Sequence, residues 1–381
     1  MVAANKQAIA LGIKKFQPYF HAKLLCEKKG VIVCSSNYEL YADLSSKMMQ
    51  IIGRFAPHQH IYSIDESFLN FNHCQQSIPC LVQYAQELRK AVWKETRLPV
   101  CVGLGTTLTL AKLANHIAKK WPSYQGVCLL DNSQIKQQLF LQLTPGNVWG
   151  IGRKTTEKLL ALGVDNVAKL VRLNLHEIRQ NFDVELLRTI KELNGEVCKE
   201  WDETRADKQQ IFSTRSVGQR IIDIDSLQQA LAKHTAIAAA KARQQGSLCS
   251  TLMAFTANSP FDKHPRSFKI VKHFSATNST CDLIKTINEN IDALFETGIE
   301  YYKVGVGLLD LSNEQQQQFE LFNERKSDHG LMKILDGINQ KYGTDSARLA
   351  SQGLDEKWAM RRQFLTPQYT TNWHHIPKIH C

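Results

Sequence analysis

Tyr62-Ser63-Ile64-Asp65-Glu66-Ser67-Phe68-Leu69 sets two adjacent carboxylates inside an otherwise apolar, β-prone run. Charge in such a setting is costly unless something binds it. Along an extended strand Asp65 and Glu66 would point to opposite faces, whereas at a strand end or hairpin turn both can converge on one hard cation. The run is read as two strands around an Asp65-Glu66 turn. Two roles are open to that turn: a solvated corner, or catalytic carboxylates that hold Mg²⁺ for phosphoryl transfer.

The flanking sequence alternates helix and strand patterns. Gly30 to Cys34 reads as a short buried strand, and Leu40, Leu44, Met48, Ile51, Ile52 and Phe55 recur at helical spacing. A helix is predicted over 78–96, a strand over 100–104 and a helix over 107–120, giving an α+β layer with helices on one sheet face. No acidic residue lies between Glu95 and Asp131, and the last helix bears Lys112, Lys119 and Lys120. That basic face is either solvated or set beside the carboxylates, where lysine offsets triphosphate charge.

Residues 131–205 read as a small helical segment. Within it, Val148-Trp149-Gly150-Ile151-Gly152 precedes a helix that ends at Gly163. Two glycines ahead of a helix N-terminus let backbone amides approach a DNA phosphate, and Arg153 and Lys154 add charge. The other reading is a plain turn between helices. After a polar linker at 201–210, strands and helices follow in the order β-α-β-β-α-β, a split sheet with two helices behind it. Arg215, Arg220, Arg266, Lys269, Lys272 and Lys303 lie on or beside its strands, as a duplex-backbone surface or as ordinary surface charge.

At 381 residues the chain exceeds one ordinary core, so several domains are expected. Its net charge of +11 favours a polyanionic partner, with nucleic acid first. No run approaches membrane-spanning length and no signal-peptide pattern opens the chain, so a cytoplasmic protein without a membrane partner is expected. Ten cysteines without a Cys-x-x-Cys spacing predict reduced, mostly buried thiols. The histidines beside Cys381 read as part of a loose tail.

Ser35 to Ser45, Tyr62 to Leu69, Leu110 to Lys120, Val148 to Gly152 and Pro367 to Thr371 together resemble the Y-family translesion DNA polymerases, in particular the UmuC type. The resemblance covers nearly the whole chain. It implies residual fingers at 1–36, a palm at 37–130, a thumb with a helix-hairpin-helix at 131–205, a little finger at 206–312 and a C-terminal tail at 313–381. By this resemblance Asp65 and Glu66 are the metal-binding catalytic carboxylates, Mg²⁺ is the cofactor, and Lys119 meets the incoming triphosphate. Gly150, Gly152, Arg153, Lys154, Arg215 and Arg220 are the expected DNA contacts. Gln318-Phe319-Glu320-Leu321-Phe322 is similar to a sliding-clamp-binding peptide, in which Gln318, Phe319, Leu321 and Phe322 would dock. Its other reading is a helix edge packed on its own domain.

The implied activity is error-prone nucleotide insertion opposite damaged bases during the SOS response, on primer-template DNA with deoxynucleoside triphosphates. UmuD′ and RecA are the implied partners. Members of the family begin with a strand carrying another metal-binding Asp, followed by an aromatic residue that excludes ribonucleotides. Met1 to Asn5 corresponds to a point after that strand, so an N-terminally truncated palm with weakened metal binding is expected. Lys6, Ile9 and Leu108 also stand where the family commonly has Tyr, Arg and Lys. Two functions follow: a translesion polymerase subunit, or a catalytically silent DNA- and clamp-binding remnant. A helix-hairpin-helix nuclease would leave Tyr62 to Leu69 unexplained.

Overall fold

Side-chain caps set where most helices start. Asn37, Thr107, Asp183, Asp223 and Ser279 each accept a hydrogen bond from a backbone N–H in the first turn that follows. In a computed structural model, residues 1–72, 74–131, 133–200, 207–316, 329–360 and 362–378 are described. The chain divides into two units, one made of Met1–Arg205 with Phe364–Cys381, the other of Ala206–Gln363.

The first unit runs α1 (Lys6–Ala10), α2 (Tyr19–Lys28), α3 (Tyr38–Gly53), β1 (His58–Ile61), β2 (Ser67–Asn70), α4 (Leu81–Thr96), β3 (Val102–Gly105), α5 (Leu108–Lys120) and β4 (Val127–Leu130). Five helices follow: α6 (Ser133–Gln142), α7 (Arg153–Ala161), α8 (Val167–Leu170), α9 (Leu175–Asn181) and α10 (Val184–Leu193). The expected single sheet forms as two pairs, β1 with β2 antiparallel and β3 with β4 parallel. β2 and β3 do not bond to one another, and both line one cleft. Gly30 to Cys34 is not a strand: no neighbouring strand offers it a ladder, and the adjoining pairing is a single bridge from Ser35 to Leu365.

Leu110, Leu113, Ala114 and Ile117 of α5 share one core with Cys128 and Leu130 of β4 and with Leu143, Leu159, Leu170, Ile190 and Leu193 of the helices beyond. Helix α5 can lie this close to β3 because position 103 has no side chain. A Cβ on Gly103 would stand 2.1 Å from the Asn115 nitrogen.

The second unit runs β5 (Ile211–Ile221), α11 (Ile224–Gln245), β6 (Ser247–Ala257), β7 (Ser267–Thr277), α12 (Thr280–Asn288) and β8 (Tyr301–Asn313), then α13 (His329–Tyr342). Its sheet has the order β5-β8-β6-β7, every neighbour antiparallel. Ala230, Ala238, Ala239 and Ala242 on α11 are small enough to seat that helix on Leu252, Val304, Val306 and Leu308. Trp358 from the C-terminal segment completes this core. None of the nine described cysteines is in a disulfide, and only Cys26, Cys128 and Cys249 are buried, fewer than expected. Burial pushes the Cys128 thiol up to about 11 and that of Cys249 to about 12.

His234 on α11 is 4% exposed and shares a hydrogen bond of 2.9 Å with the Ser213 hydroxyl. Burial first, then the charges of Arg215, Lys233 and Lys241, push its pKa down to about 4. The folded ring stays neutral while the unfolded chain takes up a proton below about pH 6.5, so acidification through the interval from 6.5 to 4 removes on the order of 3 kcal/mol. His234→Leu should flatten the fall of melting temperature across that interval. An unchanged slope in the variant would mean that other groups take up the proton.

Candidate active site

A five-residue loop, Tyr62 to Glu66, joins β1 and β2 and closes on itself. The N–H groups of Tyr62 and Ser63 both donate to the Glu66 carbonyl, each at 3.0 Å. Asp65 is exposed, and its Oδ1 accepts from the Ser63 hydroxyl at 2.8 Å. The Glu66 side chain is 40% exposed and pairs with Lys112 Nζ at 2.8 Å. Helix α3 holds the loop from one side, where the Ser45 hydroxyl donates to the carbonyl of Ile64. At the hairpin base, Gln59 Nε2 bonds both the Met49 carbonyl (3.0 Å) and the Ser67 hydroxyl (3.2 Å).

Lys112 reaches the loop from α5, with Nζ 4.6 Å from the Tyr62 ring centre and 5.3 Å from that of Trp149. Trp149 packs edge-on against Tyr62 at 5.5 Å and takes a second ammonium, Lys199 Nζ, at 4.6 Å. Two lysines thus approach one indole, whose ring attracts both, while the Glu66 carboxylate offsets the charge of Lys112. A single buried acid sets their backbones. Glu192 is 0% exposed. It accepts from the Thr109 N–H (3.0 Å), the Thr109 hydroxyl and the N–H groups of Cys198 (3.3 Å) and Lys199 (2.9 Å). The Thr107 hydroxyl adds a bond to the Glu192 carbonyl at 2.9 Å.

The hairpin, β3, α5 and the stretch through Lys199 enclose a cleft of about 900 Å³. Asp65, Glu66, Asp131 and Glu200 line it against Lys112 and Lys199, so the cleft of a strongly basic chain carries an excess of acid. Among the described residues, no group of three or more His, Cys, Asp and Glu is placed to hold a metal ion. The Asp65-Glu66 pair still suits Mg²⁺, which keeps several waters and binds through one or two carboxylates plus substrate phosphates rather than in an all-protein cage.

Lys119 stands apart from this cleft. It lies seven residues beyond Lys112, on the same side of α5 but roughly 10 Å further along the axis. There its charge, after burial and Lys120, holds His116 below its usual pKa. Lys199, Trp149, Asp131, Glu200 and Glu192 were not singled out as site residues from sequence. The one local signal was the Trp beside Gly150.

Gly150 has φ +89°, a conformation that favours glycine, and Gly152 is the N-cap of α7 with open space around it. Arg153 and Lys154 are exposed in the first turn of α7. Val164 N–H to Leu159 C=O (3.0 Å) and Gly163 N–H to Leu160 C=O (2.9 Å) close that helix in a Schellman turn. In the second unit Arg215 follows the side of β5 that carries Ser213 and Val217, near His234, and not the open sheet face. Arg220 is held bidentately by Asp262, at 2.6 and 2.9 Å, and donates to the Glu300 carbonyl. The register puts Lys303 and Lys269 on the open face, with Phe212 and Phe255 over Gly307 and Gly305. Gln318, Phe319, Leu321 and Phe322 lie outside the described residues.

The same arrangement of elements is found in a Y-family DNA polymerase chimera built on Dbh, at TM-score 0.64 and 17% identity over 82% of this chain and 87% of that one. A post-insertion binary complex of Dbh DNA polymerase matches at TM-score 0.51 and 17% identity over 81% and 87%. The fold is therefore that of a Y-family polymerase. Residues 1–116 match the impB/mucB/samB family, residues 208–321 that family's C-terminal domain, and residues 329–379 a domain of unknown function. Protein UmuC of Salmonella typhimurium is 36% identical over 100% of this chain and 91% of its own length. Protein MucB of Escherichia coli is 37% identical over 99% and 90%. DNA polymerase IV of Bacillus cereus is 25% identical over 97% and 87%. The chain belongs to the impB/mucB/samB family of UmuC-type Y-family polymerases.

Glu192→Ala would strip the acceptor from three backbone N–H groups and the Thr109 hydroxyl. It should cost on the order of 2–4 kcal/mol in denaturant unfolding of the first unit. A loss under about 0.5 kcal/mol would show that this acid does not organise the cleft.

Proposed function

We propose that the chain carries out error-prone translesion DNA synthesis, adding deoxynucleotides to primer-template DNA by metal-assisted phosphoryl transfer. The observation that carries this reading is the Asp65-Glu66 loop facing Lys112 and Lys199 across one cleft, in a chain of this family. Asp65 and Glu66 would hold Mg²⁺, which neutralises charge building on the transferred phosphoryl group and orients it. With Glu66 turned to a cation, Lys112 would be free to meet triphosphate oxygens. Lys199, also against the Trp149 ring, would add a second charge. Tyr62 and Trp149 hold both stems against aromatic faces, so little side-chain freedom is lost when the nucleotide enters.

The helix N-terminus at Gly152, with Arg153 and Lys154, would take a DNA phosphate, and Lys269 and Lys303 would offer an open basic face to the duplex. Arg220 is already committed to Asp262 and would contribute through that pair only. The segment at 318–322 would dock on the sliding clamp, and the family setting is SOS mutagenesis with UmuD′ and RecA as partners. No described helix is long and apolar enough to cross a membrane.

A second reading, DNA and clamp binding without turnover, is favoured by Glu66 being engaged by Lys112 and by a donor set of two clustered carboxylates. Primer extension on an abasic template with Mg²⁺ separates the two. Asp65→Ala with Glu66→Ala should lower extension by at least about 100-fold while DNA affinity persists. Extension that survives in the double variant would reject the assigned carboxylates, whereas salt-sensitive binding without any wild-type incorporation would favour the second reading. Arg153→Ala should weaken DNA binding across sequences alike and reduce the salt slope by about 1.

A further inference from the structure

The segment matched to a domain of unknown function is divided between the two units. Its first part is built into the second: Asp336 binds Arg243 at 2.6 and 2.8 Å, Lys233 pairs with Asp345 and Glu356, and Trp358 is buried in the core. From Phe364 onward the chain lies on the first unit. Ser35 N–H donates to the Phe364 carbonyl (2.8 Å), Ser35 bridges Leu365, and Asn37 Nδ2 donates to the carbonyl and hydroxyl of Thr366 (3.0 and 3.1 Å). Thr370 beside the Asp43 carboxylate, ahead of Lys47, holds it below the usual carboxylate range.

Every one of these partners sits on or just before α3. Asn37 is fully buried and works in two directions, since its Oδ1 caps α3 at Leu40 N–H while its amide holds the tail. Two residues beyond Asp43, Ser45 donates to the carbonyl of Ile64, the residue before Asp65. Thr366 therefore holds the start of α3 through Asn37, and further along the same helix Ser45 holds the acidic loop. A helix start is where fraying is easiest, and the tail covers that turn.

We propose that Phe364 to Thr371 is a positioning brace for the Asp65-Glu66 loop. It fixes the N-terminal half of α3 so that Ser45 holds Ile64, and with it Asp65, in the geometry that receives the metal-bound triphosphate. Asn37, Asp43, Ser45, Thr366 and Thr370 are positioning residues, and none touches substrate. The link to turnover rests on the function proposed above, but the link to loop order does not.

The test uses the full chain carrying Thr366→Val and Thr370→Val. Amide hydrogen exchange across Tyr62 to Ser67 should quicken about fivefold for each hydrogen bond removed, while α11 and β6 keep their protection. The Mg²⁺ concentration for half-maximal extension should rise by a similar factor, with the rate at saturating Mg²⁺ much less affected. Thr366→Ser with Thr370→Ser should restore both. Ser45→Ala should free the loop with the tail still protected. If the Val variant loosens Phe364 to Thr371 and leaves the loop unchanged, or if Ser45→Ala leaves it unchanged, the brace is overturned. Loss of protection throughout α3, α4 and α5 would equally overturn it, since the tail would then hold up the whole unit. If the wild-type chain extends no primer, the polymerase reading fails and exchange at the loop alone decides the brace.

Discussion

A buried acid organises the cleft of the first unit. Glu192 has no exposed surface, and a carboxyl group so placed is tolerable only when its oxygens are filled by donors. Those donors come from the first turn of α5 and from the chain at Cys198 and Lys199. Satisfying one acid fixes the start of the helix that carries Lys112 and the backbone that carries Lys199. The spacing of the two ammonium groups around Trp149 follows from that.

The distribution of charge follows a similar economy. A chain with net charge +11 keeps four acids and two lysines at its cleft, and has exposed basic groups at, among other places, the start of α7 and the open face of the second sheet. A polyanion would be drawn to those outer surfaces, while the cleft itself would favour an anion only when a cation accompanies it.

Local pattern was sufficient for what depends on local pattern. The hairpin around Asp65-Glu66, the helix after Thr107, the Gly150-x-Gly152 turn and the β-α-β-β-α-β order all have periodicity or turn chemistry that a single segment carries. The site's supporting residues do not. Thr107 and Thr109 meet Glu192 across 85 and 83 residues, and nothing in either segment marks the other. Lys112 and Lys119 share a helical side, so spacing could not separate the one at the cleft from the one two turns away. Arg220 read as a free cation until folding brought Asp262, 42 residues away, against it. Gly30 to Cys34 had strand composition without a ladder to join, and nothing in the segment around Thr366 marked Asn37, 329 residues earlier, as its partner.

The unequal burial of the cysteines has a chemical corollary. Only the thiolate is a good nucleophile, and Cys128 and Cys249 are kept protonated far above neutrality. Alkylating reagents and mild oxidants will therefore meet Cys34 and Cys80 at the surface first. Cys34 is the neighbour of Ser35, so a fluorophore coupled there sits one residue from the place where the end of the polypeptide comes back onto its beginning. The molecule carries a native reporter for whether that closure is made.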